Sequence, residues 1–376
     1  MKIIYDAIHK YMEFDDLLIQ IIDTPEFQKL RNIKQLGLCY LVFPGANHNR
    51  FEHSLGVSYL CGSMIENLKK NQPELNITTR QILLVRIAGL VHDIGHACFS
   101  HFFDNHFLKN KIIGDNIEHE HRSCSLFSHI IKKYNINLTE EEIKIVQEMI
   151  VPKDNNSFLY QIVANKDNGL DCDKFDYIAR DTYHIGLSYS FDYSRLIQQA
   201  KVINNKICFP AKCYYDILDL FHLRYKLHKQ VYTHPCVRGI EMMVLEVLNL
   251  SYDKLEILEK VEDISKFHLL TDNILDLVYH MNITEAIKIL DRIKTRNLYK
   301  LIKEYHYCGI NIETIKEKFK NSNFIIDNIS LNYSTEDNNP MDNVLLYKNN
   351  KLVKTNNLSG LLPSNFEENI IRFYKK

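Results

Sequence analysis

The sequence predicts a mainly α-helical protein: a large helical domain over residues 1–310, with short β-hairpins, and a small α+β lobe over 311–376 packed on it. Three observations predict this. From about residue 10 to 300 the chain repeats helix start and stop signals. The segment TTRQILLVRIAGLVHD (78–93) is apolar on most sides, as a buried central helix must be. Beyond 310 the pattern shifts to the two-residue alternation of strands.

The elements follow in order. Thr24 and Pro25 read as N-cap and first helical position and Gly37 as the stop, which predicts a helix over EFQKLRNIKQL (26–36). CYLVFP (39–44) reads as a short strand. LTEEEIKIVQEMI (138–150) opens with a capping box, Thr139 to Glu142. VINNKICFP (202–210) reads as a hairpin turning at Asn204-Asn205. A long helix is expected from Tyr214 to Thr233. NFIIDNISLNY (323–333) and NVLLYKNNKLVK (343–354) read as strands, the second with an Asn-Asn turn, and SNFEENIIRFY (364–374) reads as a closing amphipathic helix.

Composition removes several function classes. Lys+Arg is 46 and Asp+Glu 47, a net charge of −1, so a generic nucleic-acid coat or polybasic membrane binder is excluded and room is left only for weak nucleic-acid binding. With 45% hydrophobic and 25% charged residues, disorder and fibre are excluded too. The nine cysteines are odd in number and lack a C-x-x-C pair, which predicts reduced thiols in a cytoplasmic or nuclear compartment. No signal peptide or membrane span is expected: the longest apolar stretch, ILLVRIAGLV, contains Arg86 and falls short of the ~20 residues a span needs.

Histidine is the unusual residue. Nine of the 17 lie between His48 and His129. Four strings carry the chemistry: HNRFEH (48–53), HDIGHACFSHFFD (92–104), EHEH (118–121) and DCDKFDYIARD (171–181). Where Gly95 breaks the buried helix, His92 and Asp93 can converge on one centre. His53 and Asp173 would complete an H…HD…D set suited to Fe, Mn or Zn, with positions open for water and substrate. His92, Asp93, His96, His101 and Asp104 crowd thirteen residues, more ionisable groups than a structural core tolerates. Asp173, Tyr177 and Asp181 share one helix face beside Lys174; Arg224, His228 and Tyr232 repeat the i, i+4, i+8 spacing.

The strings VFPGANHNRFEHSLGVSYL, IAGLVHDIGHACFSHFFD and NGLDCDKFDYIARD closely resemble the HD-domain superfamily of metal-dependent phosphohydrolases, and within it the vertebrate SAM-and-HD-domain dNTP triphosphohydrolases. The resemblance runs essentially from Met1 to Lys376, including LTDNI and LLPSNFEENIIRFY, with the SAM domain expected to be absent. It implies an HD-domain helical phosphohydrolase core with His53, His92, Asp93 and Asp173 on the metal. His101 would be the acid, with Asp104 and His119 holding and charging it, and His96 would contact the α-phosphate. Arg50, Lys174 and Arg224 would bind a triphosphate accompanied by Mg2+. Tyr177 would wall off the sugar 2′ position, Gln35 and Asp181 would bind the 3′-hydroxyl, and Tyr232 would lie by the base.

Thr233 replaces the family's glutamine near the base. The resemblance also implies a GTP or dGTP activator site at Lys2, Asp23, Gln28 and Arg31. A second activator pocket matches at Arg195, Lys212, Arg296 and Lys300, but Tyr5, Pro210 and Asp216 depart from the pattern. The expected enzyme hydrolyses dNTP to deoxynucleoside and inorganic triphosphate, as a homodimer or homotetramer, in dNTP-pool control or antiviral defence. The alternatives are another HD-type nucleotidase, phosphodiesterase or nuclease, or a nucleotide- or single-strand-binding protein with vestigial catalysis.

Overall fold

A computed structural model describes residues 1–112, 114, 117–153, 157–188, 191–307, 317, 324–333, 339–353, 355 and 365–376. The chain opens with a hairpin, β1 (Lys2–Asp6) and β2 (Lys10–Phe14). Helices α1 (Asp16–Ile22), α2 (Pro25–Gln28), α3 (Arg50–Asn71), α4 (Thr79–Val91), α5 (His119–Lys133), α6 (Glu140–Ile150), α7 (Tyr160–Val163), α8 (Cys172–Ile185) and α9 (Ser194–Gln199) follow. Strands β3 (Lys201–Ile203) and β4 (Lys206–Pro210) precede α10 (Tyr214–Leu227), α11 (Pro235–Ser251), α12 (Ile257–Glu262), α13 (Ile274–His280) and α14 (Thr284–Lys294). The remaining strands are β5 (Lys300–Tyr307), β6 (Phe324–Asn332), β7 (Leu346–Lys348), β8 (Lys351–Val353) and β9 (Glu367–Lys375).

The expected mainly helical class is the observed one. Helix α3 is the spine. Asn49 and Glu52 form its capping box, and it packs on α4 and α8. Helix α4 has its own box, Thr78 with Gln81, and buries Leu84, Val85, Ile87, Ala88, Leu90 and Val91. Arg80 pairs with Glu142, the capping glutamate of α6, tying two helix starts together. The Asn204-Asn205 hairpin is present with both residues left-handed, and α10 runs on through a π-turn to Tyr232. No helix among the described residues is long and apolar enough to cross a membrane.

Three sequence expectations are corrected. The helix over 26–36 keeps its Thr24 cap and Pro25 start, but α2 ends at Gln28, a 3-10 turn covers 29–32, and Ile33 is extended. Non-local partners replace the helical hydrogen bonds there. The Lys34 amide donates to Asp272, the Gln35 amide to the His48 carbonyl, and Ile33 accepts from the Arg50 amide. CYLVFP is not a strand; residues 37–41 form a 3-10 turn, and Tyr40, Val42 and Phe43 pack around Cys39, Ala46 and Val237. The closing helix is instead β9, the middle strand of the antiparallel order β5-β9-β6, with Ile370 to Tyr374 buried without a break. A run covered on both faces carries no period of its own.

Strand β4 pairs in parallel with β7, and β5 pairs with β9, so both larger sheets combine strands from either side of residue 310.

Candidate active site

Helix ends bring the metal-type ligands together. His53 lies in the first turns of α3, His92 caps the C-terminus of α4, Asp93 follows it, and Asp173 sits in the first turn of α8. His53 Nε2 is 3.1 Å from Asp173 Oδ1 and 3.5 Å from Asp93 Oδ2. His92 Nε2 is 3.5 Å from both Asp93 Oδ1 and Asp173 Oδ1. The other nitrogen of each ring is committed: His92 Nδ1 donates to the Gly89 carbonyl at 2.8 Å, and His53 Nδ1 to Asp176 at 2.7 Å. In the neutral ring each Nε2 is therefore the lone pair. Both are buried and without a hydrogen-bond partner among the described residues. Two converging imidazole lone pairs among carboxylates fit a divalent cation.

The turn carrying His92 to His96 is clamped from behind. Ser123 Oγ donates to the His92 carbonyl and accepts from the Gly95 amide. Arg122 donates to the Gly95 carbonyl, and the buried Lys29 to that of His96. Gly95 is required by proximity: a Cβ there would lie 2.1 Å from the His119 carbonyl and 2.4 Å from the Ser123 amide.

A second group adjoins the first. His96 stacks on His119 with ring centroids 3.7 Å apart, and His101 meets both rings edge-on. His119 Nδ1 lies 3.4 Å from Asp104 Oδ2, while Asp104 Oδ1 takes the guanidinium of Arg122. Arg50 pairs with Asp93 and donates to Ser100 Oγ at 2.8 Å. Ser100 and Phe99, both left-handed, form the turn that delivers His101, and Asp272 accepts the Phe99 amide at 2.7 Å.

One cavity of about 870 Å³ connects these groups to the nucleotide-type residues. Gln35, Arg50, Lys174, Tyr177, Asp181, Arg224 and Tyr232 all line it, with His92, Asp93, Asp173, His101 and His119. Its far wall holds Thr233 and Arg238, the latter forked between Asp327 and Glu241. Asp181 accepts from the Tyr232 hydroxyl at 2.5 Å and pairs with His48 at 2.7 Å.

The other named residues lie elsewhere. Lys2 pairs with Asp23 at 2.8 Å, and Arg31 donates to Gln28 while lying over the Phe51 ring. Arg195 reaches Asp216 and the Lys212 carbonyl. Arg296 donates to the Leu41 carbonyl and Lys300 begins β5; no hydrogen bond among the described residues joins either to Arg195 or Lys212. Tyr5 packs on Tyr11, and Pro210 is in β4 beside Tyr347.

Sequence reasoning missed His9, His48, Asp176 and Arg180, which touch or support the site. The available signal was Asp176 itself, one turn after Asp173 and four residues before Arg180.

The carboxylates set the protonation of the metal-free cluster. Burial works against a charged His92, but Asp93 and then Asp173 outweigh it and push the ring up to about 9. His53 moves up in the same way against burial, through Asp173 and Asp176. Burial also opposes charge on Asp93, yet Arg50 and the imidazoles hold it well below the usual range. A cation must displace these ring protons, so its apparent affinity is expected to rise with pH towards about 9. The stabilisation from charged His92 is full below 6.5 and is lost as pH rises through about 9. Metal-free protein is thus expected to melt lower at pH 9 than at pH 6.5, a gap that saturating Mn2+ narrows; a metal-free melting temperature flat across that range refutes the assignment.

Residues 50–180 match the family model of the HD domain. Over its full length the chain is 39% identical to the deoxynucleoside triphosphate triphosphohydrolase SAMHD1 of Bos taurus, covering 75% of that protein. It is 37% identical, over 99% of its length and 77% of the relative's, to the SAMHD1 homolog of Dictyostelium discoideum. A putative HD domain-containing protein of Acanthamoeba polyphaga mimivirus is 37% identical over 84% of this chain and 77% of its own length.

Proposed function

The chain belongs to the SAMHD1 family of HD-domain deoxynucleoside triphosphate triphosphohydrolases, and from that membership we propose that it cleaves dNTPs to deoxynucleoside and inorganic triphosphate. The observation that carries the reading is one cavity lined by the His92–Asp93–Asp173 cluster, by His101 and by the cations Arg50, Lys174 and Arg224.

Fe, Mn or Zn held by His53, His92, Asp93 and Asp173 would supply Lewis-acid polarisation of water and of a phosphoryl oxygen. The chain's own residues do the rest. Arg50, Lys174 and Arg224 bind the triphosphate, with its Mg2+, and absorb charge that develops at the α-phosphate. His96 is proposed to reach that phosphate from beneath the cavity surface, where its ring is buried and stacked on His119. His101 delivers a proton to the leaving 5′-oxygen, with His119 and Asp104 as its supporting dyad. The Tyr177 ring packs at C2′, and Gln35 and Asp181 hold the 3′-hydroxyl. Tyr232 and Thr233 flank the base.

The test is phosphorus NMR of products from each dNTP, with Mn2+ or Mg2+ and with or without GTP. Inorganic triphosphate is expected, and its absence under every condition overturns the reading. Tyr177→Ala is expected to raise the ribonucleotide rate relative to the deoxynucleotide rate by about tenfold, the lower end of what one added group in a pocket is worth. Another HD-type phosphohydrolase would show no such change.

The Lys2, Asp23, Gln28 and Arg31 surface is proposed as a GTP or dGTP site, with homodimer or homotetramer formation. In the second set Arg195 is engaged by Asp216, so that set is proposed as weaker. Residues 1–310 are proposed as the catalytic unit and 311–376 as a lobe bound to it through shared sheets. The compartment is proposed to be cytoplasmic or nuclear.

A further inference from the structure

The N-terminal hairpin reaches the metal cluster through a buried chain of contacts. Its turn is built by Asp6, whose Oδ1 accepts the amides of Ile8 and His9 at 2.9 Å each, with Lys10 left-handed behind them. The turn drives the His9 ring inward. His9 Nε2 meets Asp176 Oδ1 at 2.6 Å, and Asp176 Oδ2 meets His53 Nδ1 at 2.7 Å. All three side chains are at most 1% exposed. The Tyr193 hydroxyl closes the chain on His9 Nδ1 at 2.9 Å. A neutral His9 satisfies every contact: Nε2–H donates to the carboxylate, and Nδ1 accepts from Tyr193. Position 56 of α3 is glycine because a Cβ there would sit 2.0 Å from Asp176 Oδ1.

We propose that the β1–β2 turn is a latch on the metal centre: His9, from the hairpin, fixes Asp176, which fixes the tautomer and aim of the ligand His53. This rests on the reading of His53, His92, Asp93 and Asp173 as metal ligands. His9 and Asp176 are positioning residues, since neither offers the metal an atom; their effect is on how firmly His53 holds it. The same hairpin carries Lys2 and the exposed Ile3, Tyr5 and Tyr11. Whatever binds that outer face acts on an element that reaches the metal ligand through two side chains.

The test follows metal rather than turnover. Purified full-length chain is loaded with Mn2+ and challenged with EDTA, and the retained metal is measured over time. His9→Ala is expected to lose Mn2+ roughly 10–100-fold faster than wild type, the scale for an outer partner of a ligand. His9→Gln, whose amide N–H can still reach Asp176, is expected to recover most of the retention. Tyr11→Ala, on the exposed side of the hairpin, is expected to match wild type. A folded His9→Ala that retains Mn2+ as wild type does overturns the latch. If His9→Ala does not fold, Tyr193→Phe decides: faster loss supports the latch and unchanged retention overturns it. A wild-type chain that holds no Mn2+ overturns the metal reading itself, a different result from a wild type and a His9→Ala that hold it equally.

Discussion

Asp93→Asn is expected to abolish triphosphate release, losing more than the roughly 10–100-fold that a supporting residue costs. Asp93 faces more partners than its neighbours do: it pairs with Arg50 and has His53, His92, His96 and His119 within 3.7 Å. Asparagine keeps the shape and removes the charge. Arg50 then loses the carboxylate that holds its guanidinium, and the imidazoles lose the anion around which they converge. His92→Ala should match it in turnover, because the Nε2 lone pair disappears. Single-turnover assays with a metal count on the same samples check both. Asp93→Asn activity within tenfold of wild type would refute the assignment.

The largest stability effect is expected at Arg180, which is fully buried. Its guanidinium is forked between two buried carboxylates, with contacts of 2.9 and 3.0 Å to Asp176 and 2.8 and 3.2 Å to Asp6. Arg180→Met fills most of the volume but leaves both anions without their cation, a loss of about 3–5 kcal/mol. At roughly 2.1 cal/mol/K of unfolding entropy per residue, the melting temperature should fall by about 4–6 °C. The sign with pH follows from the carboxyls. Burial opposes their charge, but Arg180 outweighs it and holds both below the ordinary range. Wild type therefore has this stabilisation above about pH 4 and loses it as pH falls through the lowered values. The deficit of Arg180→Met should be full at neutral pH and shrink in acid. Melting curves at pH 7 and at about pH 3, below the ordinary carboxyl value, decide, and an equal deficit at both would contradict the account.

The residues that meet in the cavity were legible because their signals are local. The His92-Asp93 pair ends an apolar helix, and Asp173, Tyr177 and Asp181 repeat at helical spacing. The supporting contacts were not, because their partners are remote: His9 and Asp176 are 167 residues apart, and Phe99 and Asp272 are 173 apart. Such contacts also explain the corrections to the fold. Asp272 takes the amide that would have continued the helix from Thr24. The opening hairpin escaped notice because Ile3, Tyr5 and Tyr11 face solvent, so apolar residues do not mark a buried side. Of the histidines left without a role, His48 holds Asp181 and His106 meets Arg238 at the cavity wall.

The position of β9 between β5 and β6 fixes an order of events in synthesis. Both outer strands leave the ribosome before the strand that joins them, so each waits with a bare edge. Asn328, Ile329 and Ser330 of β6 line the cavity and pair with β9. That wall is set only when the residues after 367 arrive, so a ribosome-stalled chain lacking them would expose two strand edges and an unfinished site.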